Sequence, residues 1–309
     1  MTDQARPLAT SHDAEALARQ RWLEDTPMRR ARRGVSDFVR RRPLGTAGAV
    51  VILLMIFAAL FAPIVAPYDP YEQHFTGIPL APSGEHLLGT DPFGRDVFSR
   101  IVFGARTALL VGFVSSIVGS TLGLILGVVG AYFGGNVDEV IQRFMDVLLS
   151  FPLIVLAIAV VAALGPSVGN VIAAITVPVI PRVARVTRAS ALAVVRMPYI
   201  EAARSVGVRP PRIMFRHIVP NVFAPYLILL TAFLGQAILL EATLSFLGLG
   251  VVEPDPAWGN MLRGQGMQFL DQAPWLAVAP GLAISLAVFG FNLFGDSLRD
   301  ALDPRLRTA

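Results

Sequence analysis

Thr107–Ala131 reads TALLVGFVSSIVGSTLGLILGVVGA, a run of 25 residues without one charged side chain. Water offers no reason to keep such a stretch. A bilayer does, because about 20 consecutive apolar residues in a helix cross a hydrocarbon core of ~30 Å. The rest of the chain agrees. Of 309 residues 54% are hydrophobic and 16% charged, with mean hydropathy +0.61, against roughly 25% charged residues in soluble domains. The fold class is an all-α polytopic membrane protein.

Working outward gives about six spans. Ala47–Ala66 is the first, closed by Pro67, and begins too late for a secretory segment, so it reads as an uncleaved anchor. The others fall at about Thr107–Ala131, Val147–Leu164, Val171–Ile180, Val222–Leu244 and Trp275–Phe294. The domain reading is a polar, Arg-rich tail over 1–46, a membrane domain over 47–297 with a long loop at 182–220, and a short tail over 298–309. Pro178 and Pro181 interrupt the fourth span.

All 26 basic residues are arginine, and their placement orients the chain. With both termini assigned to the cytoplasm, 22 of the 26 lie inside, and only Arg95, Arg100, Arg106 and Arg263 fall outside. That is the asymmetry of the positive-inside rule. It accounts for a pI near 10.1 through the lipid bilayer, with no nucleic acid. The expected location is a membrane, crossed several times with both termini in the cytoplasm.

Several chemistries are excluded by missing residues. There is no cysteine, hence no disulfide and no thiolate metal site or nucleophile. There is no lysine, which a Walker A phosphate loop requires, so any ATP hydrolysis belongs to another polypeptide. Four scattered histidines form no ligand cluster, and Gly248-x-Gly250 lacks the strand–helix setting of a nucleotide fingerprint. No catalytic centre, metal site or cofactor is expected.

The 182–220 loop carries the most information. Pro198 suits the first turn of a helix, where its missing N–H is harmless. Gly207 suits the left-handed residue that ends one, and Pro210-Pro211 forbid continuation. The result is a helix of two turns, about 12 Å long, with Glu201 near its positive end and Ala202 and Ala203 small enough for close approach by another protein. A second short helix is expected from Pro211 to His217, ahead of Pro220-Asn221.

These residues resemble a known motif. EAARSVG at Glu201–Gly207, with Pro220 thirteen residues beyond the glycine, resembles the EAA loop in membrane subunits of binding-protein-dependent ABC importers. The family's Ile and Leu positions are His217 and Val219 here. RHIVPN at Arg216–Asn221 is similar to the peptide-importer version. HLLGTDPFGRD at His86–Asp96, SRIVFGAR at Ser99–Arg106, LSFLGLG at Leu244–Gly250, WGN at Trp258–Asn260 and FNLFGDSLRDALDP at Phe291–Pro304 resemble dipeptide, oligopeptide and nickel permeases. The likeness covers about residues 44–305 and fits the C-type partner of a two-permease heterodimer, because the first external segment is short.

The resemblance implies a type I importer permease fold and a translocation pathway shared with a second permease. It implies partner ATPase subunits docked on the loop through Glu201, Ala202, Ala203, Gly207, His217 and Pro220, and an external substrate-binding protein. Closure of the ATPases would move the loop and turn the pathway outward. Peptides lead as cargo, with nickel or another small solute next. An ion-coupled secondary transporter is the rival class, but the repeated broken helices it would need are not seen.

Two features stand apart from the motif. Ser115, Gly119, Gly123, Gly127 and Ala131 form a stripe of small residues on span two, suited to close packing against another helix of the chain or of a partner. Gln236 and Glu241 lie on span five, and an ionisable group in a span is a candidate for the pathway. Glu241 falls near the outer interface, where solvation is the simpler expectation. Asp296, Asp300 and Asp303 read as cytoplasmic contacts or solvated charges.

Overall fold

A computed structural model describes residues 38–40, 42–75 and 77–302. Most of the Arg-rich tail and the last seven residues lie outside them. Among the described residues there is no strand, only one isolated bridge between Thr90 and Asp96. The elements are α1 (Pro43–Leu60), α2 (Ala62–Val65), α3 (Val97–Phe133), α4 (Gly135–Leu149), α5 (Leu153–Leu164), α6 (Val168–Val195), α7 (Pro198–Ser205), α8 (Pro210–Ile213), α9 (Val219–Phe246), α10 (Trp258–Met261) and α11 (Trp275–Leu302). Among the described residues five segments are long and apolar enough to cross a membrane: α1, α3, α6, the continuous Pro210–Phe246 rod containing α8 and α9, and α11.

The sixth crossing is broken. α5 has 12 residues, about 18 Å, too short for the core. It meets α4 at a 91° bend, so the span expected at Val147–Leu164 is corrected to a bent pair turning at Ser150–Pro152. Packing shows that this pair traverses the bundle. α3 and α6 are parallel: Ser115 Oγ donates to Ile172 O at 3.3 Å, and further along Thr187 Oγ1 reaches Gly123 O at 3.3 Å. Between two parallel neighbours the chain must return, and residues 134–167 are the only chain available.

The remaining neighbours alternate in direction. Gly112 lies against Ile238 and Thr121 bonds Tyr226, so α9 opposes α3. Gly235 lies against Phe291 while Gly295 lies against Thr231, and Gly48 lies against Gly290, so α11 opposes both α9 and α1. Six crossings therefore leave both ends of the membrane domain on one side. There Arg42 Nη1 donates to Ser297 O at 2.6 Å and pairs with Asp300 at 3.5 Å.

Two boundaries move, for physical reasons. α3 begins at Val97, ten residues ahead of the expected span, because Asp96 caps it by accepting from Ser99 N at 2.7 Å. α6 continues through Pro178 and Pro181 to Val195. In water two prolines argue for a break, but in hydrocarbon an unwound backbone has no solvent to bond, so the helix persists where neighbours surround it. Both prolines are buried, and the small-residue stripe of α3 lies alongside. The expected loop 182–220 thus shrinks to the segment after Val195.

On the face opposite the termini, residues 67–75, 77–96 and 247–274 form a polar cap. Arg100, only 2% exposed, donates to Pro70 O and Pro254 O. Arg95 donates to Asp91 at 2.6 Å, and Trp258 Nε1 to Ile101 O at 2.9 Å. The cap joins the HLLGTDPFGRD, SRIVFGAR and WGN segments, which are far apart in sequence.

A candidate coupling helix and a buried carboxyl

α7 is an eight-residue helix with Pro198 in its first turn and Glu201 near its N-terminus, as expected. Its end closes as the sequence requires. Gly207 has φ +76°, Gly207 N donates to Arg204 O at 2.9 Å, and Val208 N to Ala203 O at 3.1 Å. That pair of bonds is a Schellman closure.

What holds α7 to the bundle is Ile200, a residue sequence reasoning passed over. It is fully buried, packed with Leu124, Val128, Ala191, Ile213, Ile218 and Val222. One apolar side chain two residues after the proline was the only cue. Arg204 adds a second tie, its guanidinium 4.5 Å over the Tyr132 ring. The opposite face is open: Glu201 and Ala202 are exposed, and next to them in the chain Met197, Tyr199 and Val206 are 45–78% exposed. Large apolar groups gathered at a helix outside the spans make a surface suited to a protein partner.

The expected site residues divide. Glu201, Ala202 and the Gly207 turn face outward together. Ala203 sits deeper, half-buried against the core cluster. His217 and Pro220 lie beyond, in a continuous rod where a separate short helix and a break were expected. A π turn over Met214–Ile218 leads into α9, with Val219 N bonding Met214 O. Such turns absorb a residue that the α ladder cannot accommodate, and Pro220 has no N–H to continue it. Asn221 Nδ2 donates to His217 O at 2.6 Å and to Tyr199 OH of α7 at 3.4 Å, and the His217 and Tyr199 rings meet at a tilt, centroids 6.1 Å apart. The π turn is thus bound to the helix it follows.

α4 approaches the same end of the bundle. Arg188 donates to Asp138 through two nitrogens, and Arg185 pairs with Asp146. Three arginines assigned to a loop (Arg182, Arg185, Arg188) therefore belong to α6.

Glu241 departs furthest from expectation. It is fully buried, neither solvated nor facing an open path. Ser245 Oγ donates to its Oε1 at 2.8 Å and accepts from Val251 N at 3.2 Å, while Oε2 has no hydrogen-bond partner among the described residues. Asn260 Nδ2 donates to Val251 O, so the carboxyl ties the end of α9 to the polar cap. Removing the bridging hydroxyl leaves Val251 N–H and the carboxyl stranded at once. Ser245→Ala is expected to lower stability by about 1–3 kcal/mol, read as an earlier unfolding midpoint of the detergent-solubilised protein, whereas Glu241→Gln retains the bond and should lie near wild type. Gln236, one turn earlier, is half-buried beside exposed Ala232 and Leu239 on the open face of α9.

Comparison with known proteins decides the lineage. Residues 119–308 match the family described as binding-protein-dependent transport system inner membrane component, and residues 26–82 match the N-terminal membrane domain of oligopeptide transport permease C. This chain belongs to the binding-protein-dependent transport permeases. It is 39% identical over 307 residues, 99% of each chain, to a dipeptide transport system permease protein DppC of Alkalihalophilus pseudofirmus. It is 41% identical to a di/tripeptide transport system permease protein of Pseudomonas aeruginosa, over 85% of this chain and 88% of that one. With a glutathione transport system permease protein of Pectobacterium atrosepticum it shares 43% over 87% and 89%. The inward-facing MetNI methionine ABC transporter has the same fold at TM-score 0.53 and 20% identity, over 67% of this permease and 97% of that chain.

Proposed function

We propose that this permease forms one half of a translocation pathway for short peptides, beside a second permease. An external binding protein delivers the cargo, and ATPase subunits seat on α7. The observation that carries the coupling role is the geometry of α7: a two-turn helix locked by Ile200 and a Schellman closure, yet exposed along its Glu201–Ala202 face. A rigid, anchored element transmits a push, which a loose loop would absorb. Full-length likeness to peptide permeases supports the cargo class. The open face of α9 around Gln236 is assigned to the pathway wall.

Cargo is tested by purifying the binding protein encoded beside this chain and identifying the solute it retains. A di- or tripeptide is expected, together with loss of uptake of that peptide when the permease is deleted. A bound nickel ion or sugar would sink the peptide reading and leave the family intact.

The arginine asymmetry supports one orientation. Both termini and α7 are assigned to the cytoplasm, with the 67–96 cap outside. Because the chain lacks cysteine, Ser83→Cys gives a single thiol in that exposed cap. It should react with an impermeant maleimide in whole cells, and reporters fused after Arg42 and after Arg305 should both read inside. Protection of the thiol until lysis would reverse the orientation.

A further inference from the structure

An apolar cleft of about 240 Å³ opens between α1, α3 and α11, lined among others by Leu54, Met55, Ala58, Val102, Ala283 and Leu286. Every lining residue is apolar, and the single polar side-chain atom, Trp258 Nε1, is engaged by Ile101 O. Leu54 and Leu286 at its edges are 63% and 55% exposed. Along α1 the lining runs from Ala58 to Val51, about 10 Å into the hydrocarbon.

The rim carries a charge. Arg106 follows the lining residue Ala105, and its guanidinium rests on the last carbonyls of α1, with Nε to Ala59 O at 2.5 Å and Nη2 to Leu60 O at 3.3 Å. Nη1 donates to no described residue, and the side chain is exposed. Arg106 is the last charged residue before the uncharged run of α3, so its long side chain is placed to reach the interface.

An exposed cation beside a dry slot, on the outer surface of membrane helices, matches one molecule in two places. We infer that the site holds a phospholipid of the leaflet at the C-terminal end of α1, one acyl chain in the cleft and its phosphate on Arg106. A helix of another subunit is the other possible occupant, and it would leave the guanidinium without an anion. The inference is independent of the cargo.

The test uses the full-length chain, co-expressed with its neighbouring transporter subunits. The assembly is reconstituted in phosphatidylethanolamine–phosphatidylglycerol vesicles doped with phosphatidylglycerol that carries a diazirine on one acyl chain. Illumination is expected to label Leu54 and Leu286 above the other exposed α1 and α11 positions, such as Leu53 and Phe289. Ala283→Phe, which fills the slot without touching the α1 end, should remove that excess. Arg106→Gln should lower labelling by the phospholipid but not by a diazirine diacylglycerol, which has no phosphate. Equal labelling around α1 in wild type and Ala283→Phe means ordinary annular lipid and overturns the site. So does a photoreactive residue at Leu54 that captures the second permease in place of lipid. If Arg106→Gln fails to assemble, the Ala283→Phe comparison decides alone.

Discussion

Gly123→Leu is expected to abolish accumulation of folded permease in the membrane. A Cβ built on Gly123 meets Val183 Cβ at 2.7 Å, Ile180 O at 2.8 Å and Ala184 N at 3.0 Å. Two of those three atoms are α6 backbone and cannot swing aside. Overpacking a well-filled site costs about 1–3 kcal/mol, and leucine brings three further carbons into a contact with no room for one. The separation of α3 and α6 would have to grow along the whole seam, breaking the Ser115–Ile172 and Thr187–Gly123 contacts. A graded series checks the cause. Gly119→Ala, whose nearest atoms stand at 3.0–3.1 Å, should be tolerated with a modest loss of thermal stability. Gly123→Ala should be worse, and Gly123→Leu should aggregate on size exclusion. A Gly123→Leu chain that elutes and unfolds like wild type would mean α3 and α6 do not pack through this stripe.

That stripe also shows what the sequence makes legible. Small residues every fourth position on an uncharged run point to one close helix contact, and the contact is there, with α6 of the same chain as the partner. The membrane class, the six crossings and the α7 turn were likewise readable, because each rests on local chemistry: apolar length, or one glycine forced to positive φ. What stayed hidden depends on surroundings. The prolines of α6 do not break it, because their neighbours replace solvent. Pro220 does not stop a helix when a π turn takes up its missing N–H. Glu241 looked solvated because its distance along α9 placed it near the outer interface; only the fold shows that residues 247–260 return over it. Ile200 had no motif to mark it, since an anchor is defined by the core it enters.

The coupling reading is tested by changes that damage α7 function and spare the bundle. Ala203→Glu is unsuitable, since Ala203 packs on the core and a carboxylate there would disturb folding. Ala202 is exposed, and a surface substitution there should change the subunit's own stability by no more than about 0.5 kcal/mol. If an ATPase closes over this face, Ala202→Glu buries an unpaired charge. Transport should then fall at least about tenfold, equivalent to 1.4 kcal/mol or more of lost association. Gly207→Val acts differently. Its Cβ would meet open space, so the penalty is conformational: a β-branched residue at φ +76° costs about 1–2 kcal/mol. Relief comes by releasing the two closure bonds and letting α7 swing on Ile200. Both proteins should insert at wild-type levels and lose uptake. Ala202→Glu should fail in ATPase pull-down, while Gly207→Val should keep some association but lose stimulation of ATP hydrolysis by loaded binding protein. Wild-type uptake by both, with the ATPase bound, would show that force enters this permease somewhere other than α7.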